Sequence, residues 1–260
     1  MPTAQLNGIR LYYEVHGQGQ PLVLLHGFAG TAESWKPQVA GFSLRYRLIL
    51  YDARGHWRSK SPKSADAYSI DIAVEDLRAL LDHVGAGPTI VGGLSMGGVI
   101  ALAFYAKYPE RVRALILCDT GPGFRNPERR EEWRRQREEV ARLLEREGMK
   151  AFARSPHAEL DYYTAPDIML QHDPQGLAHV NRKVLVVPDA SLIDLLPRVA
   201  VPTLVLVGAE DRDFRAPADY MAGKIPGAEL AVLDKAGHGA NVDQPEAFNR
   251  AVLDFLDQRR

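Results

Sequence analysis

Short apolar runs alternate with helical patterns along this chain of 260 residues, and this alternation constrains the fold more than any other feature. Strands that are apolar on both faces must be covered on both faces, which is typical of a parallel sheet flanked by helices. We therefore predict an α/β fold. The apolar runs lie at 21–25, 46–51, 88–94 and 112–118, and the clearest amphipathic helix covers 70–84.

The rhythm changes in the second half of the chain. Residues 128–147 form a highly charged helical pattern, and no strand pattern is recognisable between it and about residue 196. Strand patterns then return before a final helix. We predict a core made of residues 1–120 and 197–260, with residues 121–196 inserted as a helical segment.

Composition excludes several classes of protein. Hydrophobic residues make up 46% of the chain and charged residues 25%, which is ordinary for a soluble globular protein. The net charge of −1 lacks the basic footprint of a nucleic-acid binder. A single cysteine, Cys118, provides neither an internal disulfide nor a thiolate zinc site.

Targeting and membrane signals are weak. The uncharged stretch 84–106 contains six glycines and a proline, so we interpret it as a buried strand followed by a buried helix rather than a membrane span. The first eight residues show neither a basic nor an apolar leader region, and we expect a cytoplasmic protein. The sequence leaves the oligomeric state open.

The strongest chemical signal is the motif Gly93-Leu-Ser-Met-Gly97. It lies where a predicted strand ends and a helix begins, which is the context of a nucleophile elbow. Small residues two positions on either side let the chain turn sharply and present the Ser95 hydroxyl above the sheet. We predict Ser95 as a nucleophile.

A serine nucleophile needs an oriented base and an acid that holds it. Of eight histidines, His238 follows a late strand in a glycine-flanked loop and is the predicted base. Asp211, in the loop after the preceding strand, is the predicted acid, with Asp213 and Asp119 as alternatives. The chain order serine, acid, histidine is the order that the hydrolase sheet uses.

An oxyanion hole requires two backbone donors near the nucleophile. One is predicted to be the N–H of Met96, directly after the serine. The loop Leu25-His-Gly-Phe-Ala-Gly30 follows an early strand, and Gly27 allows a close backbone approach there. We therefore predict the Phe28 N–H as the second donor and a structural role for His26.

The motifs His26-Gly27-Phe28, Gly93–Gly98, Gly208–Asp211 and Gly237-His238 together resemble the α/β-hydrolase family over essentially the whole chain. The chain is similar to its small capped esterases and enol-lactonases. The resemblance implies an eight-stranded, mostly parallel sheet, and a cap formed by the insertion after the sixth strand. Trp57 departs from the family pattern, because it stands where a glycine is usual.

The leading functional hypothesis is a serine hydrolase that cleaves a small ester or lactone, with no metal and no organic cofactor. A C–C bond hydrolase of a dienoate or a cofactor-free haloperoxidase or perhydrolase would use the same triad. A hydrolase-fold ligand receptor is the non-enzymatic alternative, which turnover distinguishes from the others. The expected partner is a small molecule, without nucleic acid.

Substrate choice is expected to lie in the inserted segment. Its large apolar side chains suggest a mostly apolar acyl pocket. Arg125 or Arg182 are candidates to pair with a substrate carboxylate, although exposed arginines are usually only solvated. The predicted pocket residues are Trp133, Phe152, Tyr162, Tyr163 and Met169.

Overall fold

The computed structural model describes residues 2–161 and 164–258. Within these residues eight strands form one sheet in the order β1-β2-β4-β3-β5-β6-β7-β8. The strands are β1 (Thr3–Leu6), β2 (Ile9–His16), β3 (Gln20–Leu25), β4 (Tyr46–Tyr51), β5 (Thr89–Leu94), β6 (Val112–Cys118), β7 (Thr203–Gly208) and β8 (Glu229–Leu233).

Most of the sheet is parallel. Strand β2 is antiparallel to both β1 and β4, and every other neighbouring pair from β4 to β8 is parallel. The central strands β5 and β7 are buried along their whole length, as their apolar sequences require. The predicted α/β-hydrolase fold with an eight-stranded, mostly parallel sheet is confirmed.

Helices cover both faces of the sheet. Helices α2, α3 and α8 bury their apolar side chains in one core cluster, whereas α1 and α10 pack on the opposite face. The helices in the described residues are α1 (Lys36–Phe42), α2 (Ile70–His83), α3 (Met96–Lys107), α4 (Pro127–Phe152), α5 (Pro166–Met169), α6 (Pro174–Lys183), α7 (Ser191–Leu195), α8 (Arg215–Lys224), α9 (Ala240–Asp243) and α10 (Pro245–Asp257).

The chain between β6 and β7 forms helices α4 to α7 in its described part. Asn126 caps the start of α4 by accepting hydrogen bonds from the N–H groups of Glu128 and Arg129. The charged part of α4 ends at Gly148, whose φ of 73° interrupts the helix. Helices α4 and α6 pack against each other, and Leu144 and Leu177 bury their side chains in the same core cluster as α2 and α3.

None of the described helices combines the length and apolar character that crossing a membrane requires. The carboxyl ends of the parallel strands lie at one edge of the sheet, where this fold class places its ligands. Four consecutive strands of the sheet, β5 to β8, end there in polar segments. These segments contain Ser95, Asp119, Asp211 and His238.

Candidate active site

Ser95 occupies a strained backbone conformation between β5 and α3. Its φ of 53° and ψ of −112° lie in a region that side chains rarely adopt. The turn is held from both sides, because the Ser95 N–H donates to the Cys118 carbonyl and the Thr120 hydroxyl donates to the Ser95 carbonyl. The hydroxyl of Ser95 is thereby fixed at the start of a helix.

The glycines around Ser95 are required by close packing. A Cβ atom on Gly93 would lie 2.2 Å from the carbonyl carbon of Gly97, and one on Gly97 would lie 2.2 Å from the carbonyl oxygen of Leu25. Contacts this short do not occur between real side chains and backbone. The spacing of the motif therefore lets α3 turn back against β5 and β3.

His238 is paired with Asp211. The Nδ1 atom of His238 lies 2.8 Å from Oδ2 of Asp211, and both side chains are buried. The ring of Phe214 stacks on the imidazole with 4.7 Å between centroids. A carboxylate on Nδ1 favours the tautomer in which Nε2 accepts a proton. This arrangement is suited to a general base.

The two residues predicted as alternative acids lie elsewhere around His238. Asp213 is exposed and contributes to the pocket wall. Asp119 is fully buried, and its carboxylate accepts hydrogen bonds from the backbone N–H groups of Gly208 and Ala240. Of the three candidates, Asp211 is the one hydrogen-bonded to Nδ1 of His238.

Ser95 and His238 line one pocket with a volume of about 460 Å³. Phe28 and Met96, the residues predicted to supply the oxyanion donors, line it as well. The first N–H groups of a helix have no acceptor within the helix, and the Met96 N–H belongs to this group. The four residues of the predicted catalytic centre that line this pocket thus share one cavity with Trp133 of α4.

The loop that follows β3 is fixed by His26. The Ala53 N–H donates to its Nε2, and its Nδ1 lies 2.7 Å from the Gly27 carbonyl to which it donates. Burial lowers the pKa of His26 from 6.5 to about 4, so the ring is neutral at pH 7. His26 therefore acts as the loop anchor that the sequence predicts.

Two further buried histidines extend this anchor. His56 packs edge-on against His26 with 4.7 Å between ring centroids. His172, which follows α5, packs edge-on against His56 with 5.5 Å between ring centroids. The Nε2 of His172 lies 3.3 Å from the Gly30 carbonyl. Burial holds the pKa of His56 well below its ordinary value and also lowers that of His172. The cluster joins the loop after β3 to the helices between β6 and β7.

Only some of the predicted pocket residues line the cavity. Trp133 lines the pocket and donates from Nε1 to the Leu185 carbonyl. Phe152 and Met169, which were also predicted, are not among the residues that line it. Phe152 is fully buried with its ring edge-on to Phe28, and Met169 is buried in the core cluster, so neither side chain reaches the cavity. Tyr162 and Tyr163 lie outside the described residues.

The sequence reasoning missed the basic wall of the pocket. Arg130 and Arg137 of α4 line it on either side of Trp133, and Arg129 and Arg212 line it too. The sequence does contain a signal for this basic wall, because positions 130, 133 and 137 share one helix face. Phe214 was also missed.

Three other residues that the sequence analysis names do not line the pocket. They are Arg125, Arg182 and Trp57. Arg125 pairs with Asp194, and Arg182 pairs with Glu138 and Glu145 of α4. Trp57 has a φ of 26°, and its ring packs on the guanidinium of Arg58, 4.3 Å from the ring centroid.

In the described part of the chain, no three His, Cys, Asp or Glu side chains form a group that could hold a metal ion. The cavity is instead bounded by aromatic, aliphatic and arginine side chains around Ser95 and His238.

Comparison with known proteins shows the family of the chain. Residues 20–245 match the family model described as alpha/beta hydrolase fold. This chain belongs to the α/β-hydrolase family. It is 31% identical to 3-oxoadipate enol-lactonase 2 of Acinetobacter baylyi, with 96% of this chain and 94% of that protein covered.

Solved structures give the same result for this α/β-hydrolase. A thermophilic esterase from Thermogutta terrifontis matches with a TM-score of 0.88 and 31% identity, over 99% of each chain. The enol-lactonase from Burkholderia xenovorans LB400 matches with a TM-score of 0.83 and 29% identity, over 98% of this chain and all of that one.

The strain at Ser95 predicts that two small substitutions differ in stability although both abolish activity. Ser95→Ala and Ser95→Gly should both remove turnover, because both remove the hydroxyl. Glycine adopts positive φ freely, so Ser95→Gly should raise the free energy of unfolding by about 1 kcal/mol relative to Ser95→Ala. Urea denaturation and an esterase assay measure both effects. Equal stability of the two variants would argue against strain at this position.

The histidine cluster predicts acid sensitivity. Buried neutral histidines bind fewer protons in the folded chain than in the unfolded chain, so their stabilising contribution is full above pH 6.5 and is lost as the pH falls toward 4. His56→Phe keeps a buried ring without a titrating group. Between pH 6 and 5, its free energy of unfolding should fall less steeply than that of the wild type, by about 1.4 kcal/mol per pH unit.

Urea melts at stepped pH measure this difference in slope. The control is His83→Gln, which removes an exposed histidine and should leave the wild-type slope unchanged. Parallel slopes for His56→Phe and the wild type would contradict the prediction. The comparison of two variants cancels Asp119, whose raised pKa acts on stability in the opposite direction.

Proposed function

We propose that this α/β-hydrolase cleaves small to medium carboxylic esters or lactones through an acyl-enzyme. The observation that carries the proposal is the buried 2.8 Å contact between Asp211 and His238, which lines the same pocket as Ser95. Relatives named as an esterase and as enol-lactonases support the same class of reaction. The fold, the pocket and the relatives together favour acyl transfer.

In this mechanism the Ser95 hydroxyl attacks the substrate carbonyl while Nε2 of His238 accepts its proton. Asp211 holds the ring through Nδ1 and stabilises the imidazolium that forms. His238 then gives the proton to the leaving alkoxide. A water molecule, deprotonated by His238, attacks the acyl-enzyme, and the proton returns to Ser95 as the acid leaves.

The backbone N–H groups of Met96 and Phe28 are the proposed oxyanion donors. Met96 begins α3, whose amino end favours negative charge, and Phe28 lines the pocket on the opposite loop. Donors aimed at the developing oxyanion are typically the largest electrostatic contribution to acyl transfer. The His26 anchor would keep the Phe28 loop in place during the reaction.

Residues 121–196 are proposed to act as a cap over the site. Trp133, Arg130 and Arg137 of α4 and Leu185 line the pocket together with Ser95. The segment thus supplies a wall of the acyl site rather than only surface. A cavity of about 460 Å³ is small, so we propose acyl chains below about eight carbons as the preferred substrates.

The charge of the pocket wall narrows the substrate class. Four arginines line the pocket, against the two carboxylates Glu132 and Asp213. Arginine binds carboxylates through its planar guanidinium. The Thermogutta terrifontis esterase structure is described as malate-bound, and malate is a dicarboxylate. We propose esters or lactones whose far end carries a carboxylate.

The same triad serves alternative reactions. A C–C bond hydrolase of a dienoate or a cofactor-free haloperoxidase or perhydrolase would keep Ser95, Asp211 and His238 in the same roles. A ligand receptor would bind the same small molecules without turnover. Steady-state turnover of simple esters separates the proposed esterase from the ligand receptor.

A panel of methyl esters tests the substrate class. Hydrolysis, followed by titration of the released acid, should be fastest for short acyl chains and should decline beyond about eight carbons, because overfilling a closed pocket costs more than an added methylene gains. Monomethyl succinate should exceed methyl butyrate in kcat/KM. A rate that keeps rising with chain length would contradict the closed pocket.

Matched arginine variants test the charge preference within the same panel. Arg137→Gln removes a lining guanidinium and should lower kcat/KM for monomethyl succinate about tenfold, with methyl butyrate changed less than about twofold. The control Arg134→Gln lies on the same helix but pairs with Glu131 at the surface, and it should change neither substrate. Equal losses on both esters would mean that Arg137 acts through the fold alone.

Substitution of the acids tests the triad. Asp211→Asn should reduce kcat by about 10⁴, because the amide no longer holds the imidazole in the productive tautomer. Asp213→Asn, on an exposed neighbour, is the matched control and should have a mild effect. Measured kcat values, together with the extent of fluorophosphonate labelling at Ser95, check both. A larger loss for Asp213→Asn would move the acid to that residue.

A further inference from the structure

Asp119 is a buried carboxylate that the proposed mechanism leaves unused. It follows β6 directly, is fully buried, and has a φ of 44°. Its Oδ1 accepts the Gly208 N–H at 2.8 Å, and its Oδ2 accepts the Ala240 N–H at 3.1 Å and the Cys118 thiol at 3.2 Å. Both oxygens are thus acceptors.

The two backbone partners flank the loops that carry the proposed acid and base, because Gly208 ends β7 and Ala240 begins α9. Gly208 stands three residues before Asp211, and Ala240 stands two residues after His238. The loops also touch directly, since a Cβ atom on Gly208 would lie 2.2 Å from the Gly237 carbonyl oxygen. One carboxylate therefore bonds both loops where they meet.

Titratable side chains lie near Asp119 on three sides. Cys118 lies on β6, Asp211 lies in the loop after β7, and His238 lies in the loop after β8, where Asp243 of α9 accepts the Gly237 N–H. Burial raises the pKa of Asp119 to about 7, while the attraction of His238 and the backbone N–H groups oppose this rise. Asp119 therefore titrates in the pH range in which an imidazole base also titrates.

We propose that Asp119 is a positioning residue, which in its ionised form holds the Asp211 loop and the His238 loop in register through its two carboxylate oxygens. The inference rests on the proposed function, because it assigns to Asp119 the alignment of that base and acid. Protonation would turn one carboxylate oxygen into a donor, which would then face a backbone N–H or a thiol. The hydrogen bond to one of the two loops would be weakened.

This role has a kinetic consequence. Activity requires neutral His238 and ionised Asp119, so two protons must leave as the pH rises through the acid limb of kcat/KM. In the wild type, the slope of log kcat/KM against pH should approach two within the acid limb. The slope should return to one in Asp119→Asn, which has no second titrating group.

The test compares Asp119→Asn with the wild type, using monomethyl succinate and sites counted by fluorophosphonate titration. Asparagine is similar in shape and tolerates positive φ, but it can accept at one atom only. We expect kcat per titrated site to fall at least tenfold, with KM changed less than threefold. In the Asp211→Asn background the same substitution should have a smaller effect, because both act on His238.

The matched control is Asp76→Asn. Asp76 is another buried carboxylate, bonded to Arg54 and Asn7 away from the pocket wall, so its variant should lose stability but keep wild-type kcat per site and an acid-limb slope of two. A wild-type slope of one, or wild-type kcat in Asp119→Asn, overturns the positioning role. If Asp119→Asn does not fold, the wild-type slope decides alone.

The proposed function fails in a different way. A wild-type protein that neither hydrolyses the ester panel nor reacts with the fluorophosphonate at Ser95 would overturn the esterase proposal itself. An active wild type with an indifferent Asp119→Asn variant overturns only the role of Asp119.

Discussion

The site depends on one close backbone contact, where β5 turns into α3. Gly93 lies so close to the Gly97 backbone that a Cβ on Gly93 would collide with it, and a Cβ on Gly97 would collide with the Leu25 backbone of β3. This contact lets the helix begin immediately after Ser95 and holds the residue at positive φ. The strain stored in that turn is of the order of 1–3 kcal/mol, which the surrounding buried strands can sustain. The residues that face Ser95 are therefore arranged around a backbone position that this turn fixes.

Local patterns predicted the parts of the molecule that depend on local chemistry. The sequence itself marks the strands of the sheet. The Gly93–Gly97 turn stands next to the end of one such strand, and so does each of the candidate residues Ser95, Asp211 and His238. Sequence spacing alone indicated these positions because each follows a short apolar run. The roles of the three residues stay predictions until turnover is measured.

The pocket wall was less predictable, because it depends on how α4 lies over the sheet. Aromatic and methionine side chains in a helical layer are as well suited to a core as to a pocket, and Phe152 and Met169 lie in the core. In the sequence, Arg130 and Arg137 are typical of solvated surface charge. The position of α4 over the sheet is what brings them to the pocket wall. The face of α4 that carries Trp133 was the one local signal for them.

Asp119 shows how stability and alignment oppose each other at such a site. A folded pKa of about 7, against an ordinary 3.8, means that the ionised carboxylate costs about 4 kcal/mol of stability at pH values above 7. An apolar replacement would remove this cost, but it would leave the N–H groups of Gly208 and Ala240 buried without an acceptor, at about 1–3 kcal/mol each. The two costs are of similar size, so stability alone does not favour the carboxylate. What the carboxylate provides in addition, in its proposed role, is a fixed distance between the loops that carry Asp211 and His238.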